Sequence, residues 1–142
     1  MSSPATAPVI VALVPDVFFS ITVRNVIRAS GAEAVLLRQV ADLPQAAQER
    51  APVLLIVDLT ALADDAAWET VSGLVGGDLP SLGFGPHREA VLLRRGRSVG
   101  MTKVVPNSVF HATMPELINA VRADAIDVAA VSAVDDTTDE QE

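Results

Sequence analysis

Two aspartates and two histidines are the side chains of this 142-residue chain most able to do chemistry. Asp16 and Asp58 each follow an apolar run, and His87 and His111 fall near the ends of later ones. Carboxylates and imidazoles together form divalent-metal sites and the acid–base pairs of hydrolases. The histidines lack ligand spacing such as His-x-x-x-His, so surface or capping roles are favoured over a metal site. Cysteine is absent, which excludes disulfide and thiol chemistry.

The segment GFGPHR, residues 83–88, has the glycines of a phosphate-binding loop. Glycine lets backbone amides approach an anion, and a helix is predicted just after the segment. It has no third glycine and no Walker lysine, and it follows the fourth predicted strand. We therefore interpret it as a sharp strand-to-helix turn. A small ligand or nucleotide bound near Gly83, Gly85 and Asn107 stays open as an alternative.

The elements that must position these residues follow from the hydrophobic pattern. Short runs rich in Val, Ile and Leu alternate with longer amphipathic stretches, which is typical of βα units around a parallel sheet buried on both faces. The pattern predicts five strands at residues 8–14, 33–38, 52–58, 80–84 and 102–105. The length suits one domain. We predict a single α/β domain, a doubly wound (βα)5 fold with a five-stranded parallel sheet, over residues 8–131.

For two of the connecting helices, the sequence predicts the limits, and for the first of them also the buried face. Residues 16–29, followed by Gly31, predict a helix packed on the sheet through Phe19, Val23, Val26 and Ile27. The helix after the fourth strand is predicted to run from about His87 to Arg95 and to stop before Gly96.

The last helix is predicted to open with a capping box. Thr113 and Glu116 have the required spacing, and Pro115 fits the first turn because it needs no hydrogen-bond acceptor for an amide. The predicted buried face of this helix consists of Leu117, Ile118, Val121 and Ala125.

The carboxyl ends of the strands are where an open parallel sheet binds its ligands. The first strand is followed here by Val14, Pro15 and Asp16. The third ends at Asp58, and the fourth and fifth are followed by Gly85 and Asn107. These six residues are therefore the candidate site.

The βα alternation, the aspartate ending VLLIVD and the spacing of the strand ends resemble the response-regulator receiver family, which has the CheY-like fold. The resemblance covers about residues 8–126 and implies the flavodoxin-like strand order. It places Asp58 at the phospho-accepting aspartate and Val14 and Pro15 at the family's acidic pair. Gly85 falls at the Ser/Thr position, Val104 at the switching aromatic and Asn107 at the lysine.

These substitutions remove most of what aspartyl phosphorylation needs. Magnesium prefers oxygen ligands including carboxylates, and Val14 and Pro15 offer none. Asn107 replaces a positive charge with a neutral donor, and Gly85 has no hydroxyl. Asp16 is the one acid that could substitute as a ligand. The resemblance therefore implies a pseudo-receiver that works without phosphorylation, catalyses no reaction and needs no cofactor, with Asp58 serving to cap a turn.

Two alternatives stay open beside that interpretation. One is a phospho-accepting receiver of unusual type that uses Asp58. The other is the small-ligand binder at the carboxyl edge.

Two surface features point to protein partners. On the first helix, Val17, Phe18 and Ile21 form a second apolar face opposite the buried one, which indicates either an interface or cover by another segment. Five bases cluster in the fourth helix and fifth strand, a face that receivers use for dimerisation and output: Arg88, Arg94, Arg95, Arg97 and Lys103.

The net charge of −8 is concentrated at one end, because residues 124–142 carry seven acids and no Lys or Arg. We predict that residues 1–7 are flexible and that residues 132–142 form a disordered acidic tail, which contacts the basic cluster weakly. The tail would repel nucleic acid, so an acidic protein, a second copy of the chain or the tail itself is the expected partner. The chain lacks a secretory signal and an uninterrupted apolar run of membrane-spanning length, which predicts a cytoplasmic protein.

Overall fold

The structure, a computed structural model, describes residues 7–124 of the chain. Five strands alternate with five helices through this range. The strands are β1 (Val9–Leu13), β2 (Glu33–Leu37), β3 (Leu54–Asp58), β4 (Ser81–Gly85) and β5 (Lys103–Pro106). The helices are α1 (Val17–Ala29), α2 (Leu43–Arg50), α3 (Asp65–Val75), α4 (Ala90–Ser98) and α5 (Asn107–Asp124). Two 3₁₀ turns, Val40–Asp42 and Leu59–Ala61, precede α2 and α3.

The strands form one parallel sheet in the order β2-β1-β3-β4-β5. This confirms the predicted doubly wound α/β fold, and each strand lies within two residues of its predicted bounds. The runs VIVAL and LLIVD are apolar throughout because both faces of the sheet are covered.

Successive residues of each strand point to opposite faces and so supply two cores. Ile10 and Ala12 pack with α1 and α5 on one face. Val11 and Leu13 pack with α2, α3 and α4 on the other. Of the predicted contacts of α1, Val23 and Ile27 are fully buried, whereas Phe19 and Val26 are half-buried against the first core. Gly31 follows in a left-handed conformation with φ +89°, as a helix stop requires.

The predicted limits of α4 are wrong. The helix begins at Ala90, three residues after His87, and continues through Gly96 to Ser98. A Cβ at Gly96 would lie 3.1 Å from Leu59 Cδ1 and 3.2 Å from Val104 Cγ2. Glycine therefore brings α4 close to the sheet here and does not end the helix.

The predicted start of the last helix, at Thr113, coincides with a kink between two helical segments that together make up α5, but the predicted capping box does not form. The helix begins at Asn107, six residues before Thr113, and is kinked at Thr113, which has φ −130° and ψ 29°. The Thr113 hydroxyl donates to the Val109 carbonyl at 2.7 Å, so it bonds back along the helix. Pro115, which cannot donate a helical hydrogen bond, accounts for the kink.

Some of the remaining predictions for α5 and the termini concern described residues, and others concern residues outside the described range. Leu117, Ile118 and Val121 are buried, as predicted. Ala125, the acidic residues from 125 onward, and most of the predicted flexible segments at 1–7 and 132–142 lie outside the described residues. Within residues 7–124, no helix is both long and apolar enough to cross a membrane.

Candidate functional site

The carboxyl edge of the sheet brings together the candidate residues from four strands. The register aligns Asp58 with Phe84 and Gly85 with Pro106, so Asp58 and Gly85 end neighbouring strands one residue apart in register. Strand β1 lies beside β3, and Val14, Pro15 and Asp16 follow it at this edge. Asn107 is the first residue of α5, directly after β5.

Asp58 caps the turn that follows its strand. Its Oδ1 accepts hydrogen bonds from the Thr60 amide at 3.0 Å and from the Thr60 hydroxyl at 2.6 Å. The residue is half-buried, and the 3₁₀ turn Leu59–Ala61 starts directly after it. The carboxylate thus has a local structural role that requires neither a metal nor a phosphoryl group.

Of the three residues after β1, only Asp16 has a side-chain oxygen. Val14 is fully buried in the first core, and its amide donates to the Leu37 carbonyl at 3.0 Å. Pro15 has neither a side-chain oxygen nor an amide hydrogen. Asp16 is exposed, but its Oδ1 accepts from the Phe19 amide at 3.0 Å and caps α1. Coordination of a metal through that oxygen would compete with the cap.

On the far side of the edge, neither Gly85 nor Asn107 supplies a hydroxyl or a positive charge. Gly85 is buried, and a Cβ there would touch Leu92 and Leu93 at 3.4 Å. Asn107 is half-buried and neutral. Val105, the residue before Pro106, is 2% exposed and belongs to the first core, while Val104 is buried in the second.

The glycines of GFGPHR are explained by packing. Gly83 lies inside β4, where a Cβ would come within 2.7 Å of Met101 Sδ. After β4 the chain turns sharply, with the Glu89 amide donating to the Pro86 carbonyl at 3.0 Å. This geometry favours the strand-to-helix turn over a phosphate-binding loop.

The histidines do not join the aspartates. His111 is exposed on α5 and stacks on Phe19, with ring centroids 4.3 Å apart. His87 lies in the turn before α4 and faces α5 across a groove. Among residues 7–124, no group of three or more His, Asp or Glu side chains could hold a metal ion.

An aromatic cluster that the sequence analysis did not identify lies in the first core, between α1, β4 and α5. Phe84 and Phe110 stack with centroids 4.1 Å apart, and Phe19 contacts both edge-on at 5.9 Å. From the sequence, Phe19 was predicted to lie on the buried face of the first helix, but it was not connected to Phe84 or Phe110. The cluster joins the start of α1 to the start of α5.

Comparison of this architecture with solved structures identifies the fold. The HemR receiver domain from Leptospira biflexa has a TM-score of 0.68 at 18% identity, covering 82% of this chain and 94% of that one. A CheY-like response regulator receiver domain from Methanospirillum hungatei has a TM-score of 0.74 at 9% identity, covering 87% and 100%. NtrX from Brucella abortus has a TM-score of 0.73 at 14% identity, covering 91% of this chain but 29% of that longer one.

The chain has the receiver fold. No protein-family model matches the sequence, and no curated protein matches it either. At these identities the likeness is one of backbone fold, and the predicted fold is confirmed.

On this receiver fold, the predicted apolar face of α1 lies at the surface. Val17, Phe18 and Ile21, which we call the α1 patch, are 45%, 85% and 43% exposed. No residue in the described range covers them. Cover by an N-terminal segment or a neighbouring loop was the alternative to an interface drawn from the sequence, and residues 1–6 lie outside the described range.

The five predicted bases do not form one face. Arg88 precedes α4 and is exposed. Arg95 turns toward α3, where it pairs with Asp65 at 2.9 Å and lies 4.7 Å from the centre of the Trp68 ring. Arg94, Arg97 and Lys103 line a groove of ≈ 530 Å³ between α4, β5 and α5. We call this the α4–α5 groove.

Proposed function

We propose that this chain is a regulatory module of receiver fold that acts by binding proteins and whose output does not depend on phosphorylation of Asp58. The observation that carries the proposal is the engagement of Asp58 Oδ1 by the amide and hydroxyl of Thr60, at an edge where Val14, Pro15, Gly85 and Asn107 supply no carboxylate, hydroxyl or positive charge. Such a module is not an enzyme, and it requires no cofactor.

The chemistry of phosphoryl transfer supports this proposal. Catalysis of that step consists mostly of positioning and of charge stabilisation by cations. Val14 and Pro15 leave the edge without the ligands of a magnesium ion, and Asn107 supplies no fixed positive charge. Asp16 has one carboxylate oxygen, Oδ1, engaged in the N-cap of α1, so a metal bound through that oxygen would compete with a cap worth about 1 kcal/mol.

Two surfaces are available for protein partners. The α1 patch exposes three large apolar side chains together, a feature that marks interaction sites in soluble proteins. The α4–α5 groove combines apolar walls with three bases and one acid, Glu116. An acidic protein segment or a second copy of the chain fits these surfaces better than nucleic acid, because the whole chain carries a net charge of −8.

The proposal is tested by offering the full chain a phosphoryl donor. Incubation with acetyl phosphate and magnesium is expected to give no mass increase that depends on Asp58. Beryllofluoride with magnesium, which mimics the phosphoryl group, is expected to leave the amide shifts of Asp58, Leu59 and Gly85 unchanged. The Asp58→Asn variant is the matched control and should behave identically.

The alternative of a phospho-accepting receiver predicts the opposite result. Asp58 is half-exposed at the edge, with the Asp16 carboxylate following the adjacent strand. A stoichiometric acyl phosphate that disappears in Asp58→Asn would overturn the proposal. Loss of that product in Asp16→Asn as well would identify Asp16 as the replacement metal ligand.

A further inference from the structure

The α4–α5 groove combines three of the bases predicted from the sequence with apolar walls that the linear sequence does not show. Its walls are apolar, with Leu93 from α4, Val105 from β5, and Leu117 and Val121 from α5. Its charged residues are Arg94, Arg97, Lys103 and Glu116, so three bases face one acid. Arg97 is held in place by a hydrogen bond to the Val104 carbonyl at 3.2 Å.

The chain itself contains a segment of complementary chemistry. Residues 125–142 carry six acids and no Lys or Arg, and begin with the apolar stretch AIDVAAVSAV. Apolar side chains thus precede a run in which Asp135, Asp136, Asp139, Glu140 and Glu142 accumulate charge. A groove with apolar walls and three bases matches both parts of this segment.

The segment begins next to the groove. Val121 lines the groove, and α5 ends three residues later at Asp124. Between Val109 and Val121 the groove follows 12 residues of α5, which is about 18 Å at 1.5 Å per residue. The 18 residues from 125 to 142 span up to about 60 Å when extended, so they are long enough to return along it.

We propose that residues 125–142 occupy the α4–α5 groove of the same molecule, with their acids against Arg94, Arg97 and Lys103. A segment joined to its site by the chain competes at an effective concentration on the order of millimolar. The C-terminal segment therefore limits access to the groove for other acidic partners. This regulatory consequence rests on the proposed function, whereas the intramolecular contact itself does not.

The contact can be mapped in the full chain by paramagnetic relaxation. Because the chain has no cysteine, Ser132→Cys provides a single site for a nitroxide label. We expect the label to broaden the amides of Leu93, Arg94 and Thr113 at about 0.1 M salt. The broadening should fall strongly at about 1 M salt, where the Debye length shortens from about 10 Å to about 3 Å.

Two neighbouring arginines give a matched pair of controls. Arg94→Gln removes a groove base and should reduce the broadening severalfold. Arg95→Gln removes the same charge from a side chain that faces Asp65 and Trp68, and should leave it unchanged. Replacing Asp135, Asp136, Asp139 and Glu140 by their amides should abolish the contact as high salt does.

Three results would overturn the inference. The first is broadening that changes neither with salt concentration nor in the charge variants, which would mean that the label only samples space near the end of α5. The second is broadening centred on the α1 patch. The third is broadening seen only when labelled and isotope-enriched molecules are mixed, which would assign the contact to a second copy. Because no phosphoryl donor or partner is present, the outcome is independent of the Asp58 test.

Discussion

At the residue scale, Asp16 and Asp58 have the same structural role: each caps the helical turn that follows a strand. Each carboxylate accepts a backbone amide at the start of the helical turn that follows, from Phe19 and Thr60 respectively, at 3.0 Å. The first turn of a helix leaves amides without intrahelical acceptors, and aspartate is among the best residues for satisfying them. Both acids at the carboxyl edge are therefore accounted for by backbone chemistry.

This interpretation predicts the effect of removing the cap on α1. Asp16→Ala is expected to lower the free energy of unfolding by about 1 kcal/mol, because the Phe19 amide loses its acceptor. Asp16→Asn should retain most of the stability, since asparagine caps equally well. Urea unfolding followed by circular dichroism measures both changes.

Asp42 supplies the control for this experiment. It also precedes a helix, α2, but its side chain makes no capping hydrogen bond. Asp42→Ala should therefore change the free energy of unfolding by much less than Asp16→Ala. Equal losses in the two variants would show that general charge effects, and not the cap, determine the stability change.

Capping also shows where sequence reasoning at single residues succeeds and fails. Asp58 was predicted to cap a turn and does so. Thr113 was predicted to cap forward onto the turn of Glu116, but its hydroxyl bonds back to Val109. A threonine hydroxyl can make either bond, and the choice depends on whether a helix already precedes it. The helix from Asn107 is that context, and the spacing of Thr113 and Glu116 does not reveal it.

At the element scale, the distance between α4 and the sheet depends on Gly96. The glycine lies under Leu59 and Val104, both buried. Gly96→Ala gains helix propensity but places a methyl group 3.2 Å from the branched side chain of Val104. We expect the overpacking to exceed the gain and to lower the free energy of unfolding by about 1 kcal/mol.

Gly73 separates helix propensity from packing. It is an exposed glycine inside α3, and a Cβ there would have no neighbour within 4 Å. Gly73→Ala should raise the free energy of unfolding by about 0.5–1 kcal/mol, the usual preference for alanine in a helix. If Gly96→Ala were equally stabilising, α4 would have room to move and the proposed tight packing would be wrong.

The elements differ in how far the sequence determines them. Strands such as Leu54–Asp58 are apolar throughout because they are covered on both sides, so their positions could be predicted within two residues. Helix α4 could not be bounded, since Gly96 signals a stop in sequence and serves as a close contact in the fold. Helices α2 and α3 had no predicted limits. The start of α3 carries a local signal that was not used, because Asp64 caps the helix by accepting from the Ala67 amide at 2.9 Å.

At the scale of the whole molecule, the candidate surfaces depend on which elements the fold brings together. Arg94 and Arg95 are adjacent in sequence, yet one faces the α4–α5 groove and the other faces α3. The groove is built from three elements, so charge counting along the chain finds its bases but not its apolar walls. The α1 patch, in contrast, lies on one helix and could be predicted from helical spacing alone.

The α1 patch leads to a prediction about association. Phe18 is 85% exposed between two partly exposed aliphatic side chains, and burying apolar surface is favourable by about 25 cal/mol per Å². Phe18→Asp should therefore lower the oligomeric state or abolish binding to a partner. Light scattering on the full chain measures the oligomeric state, and titration with a co-purified partner measures partner binding.

Val91→Asp is the matched control, because Val91 is 71% exposed on α4 but has no comparable patch around it. An unchanged mass together with unchanged partner binding in Phe18→Asp would remove the α1 patch as an interface, and leave cover by another segment of the chain as the explanation of its apolar face.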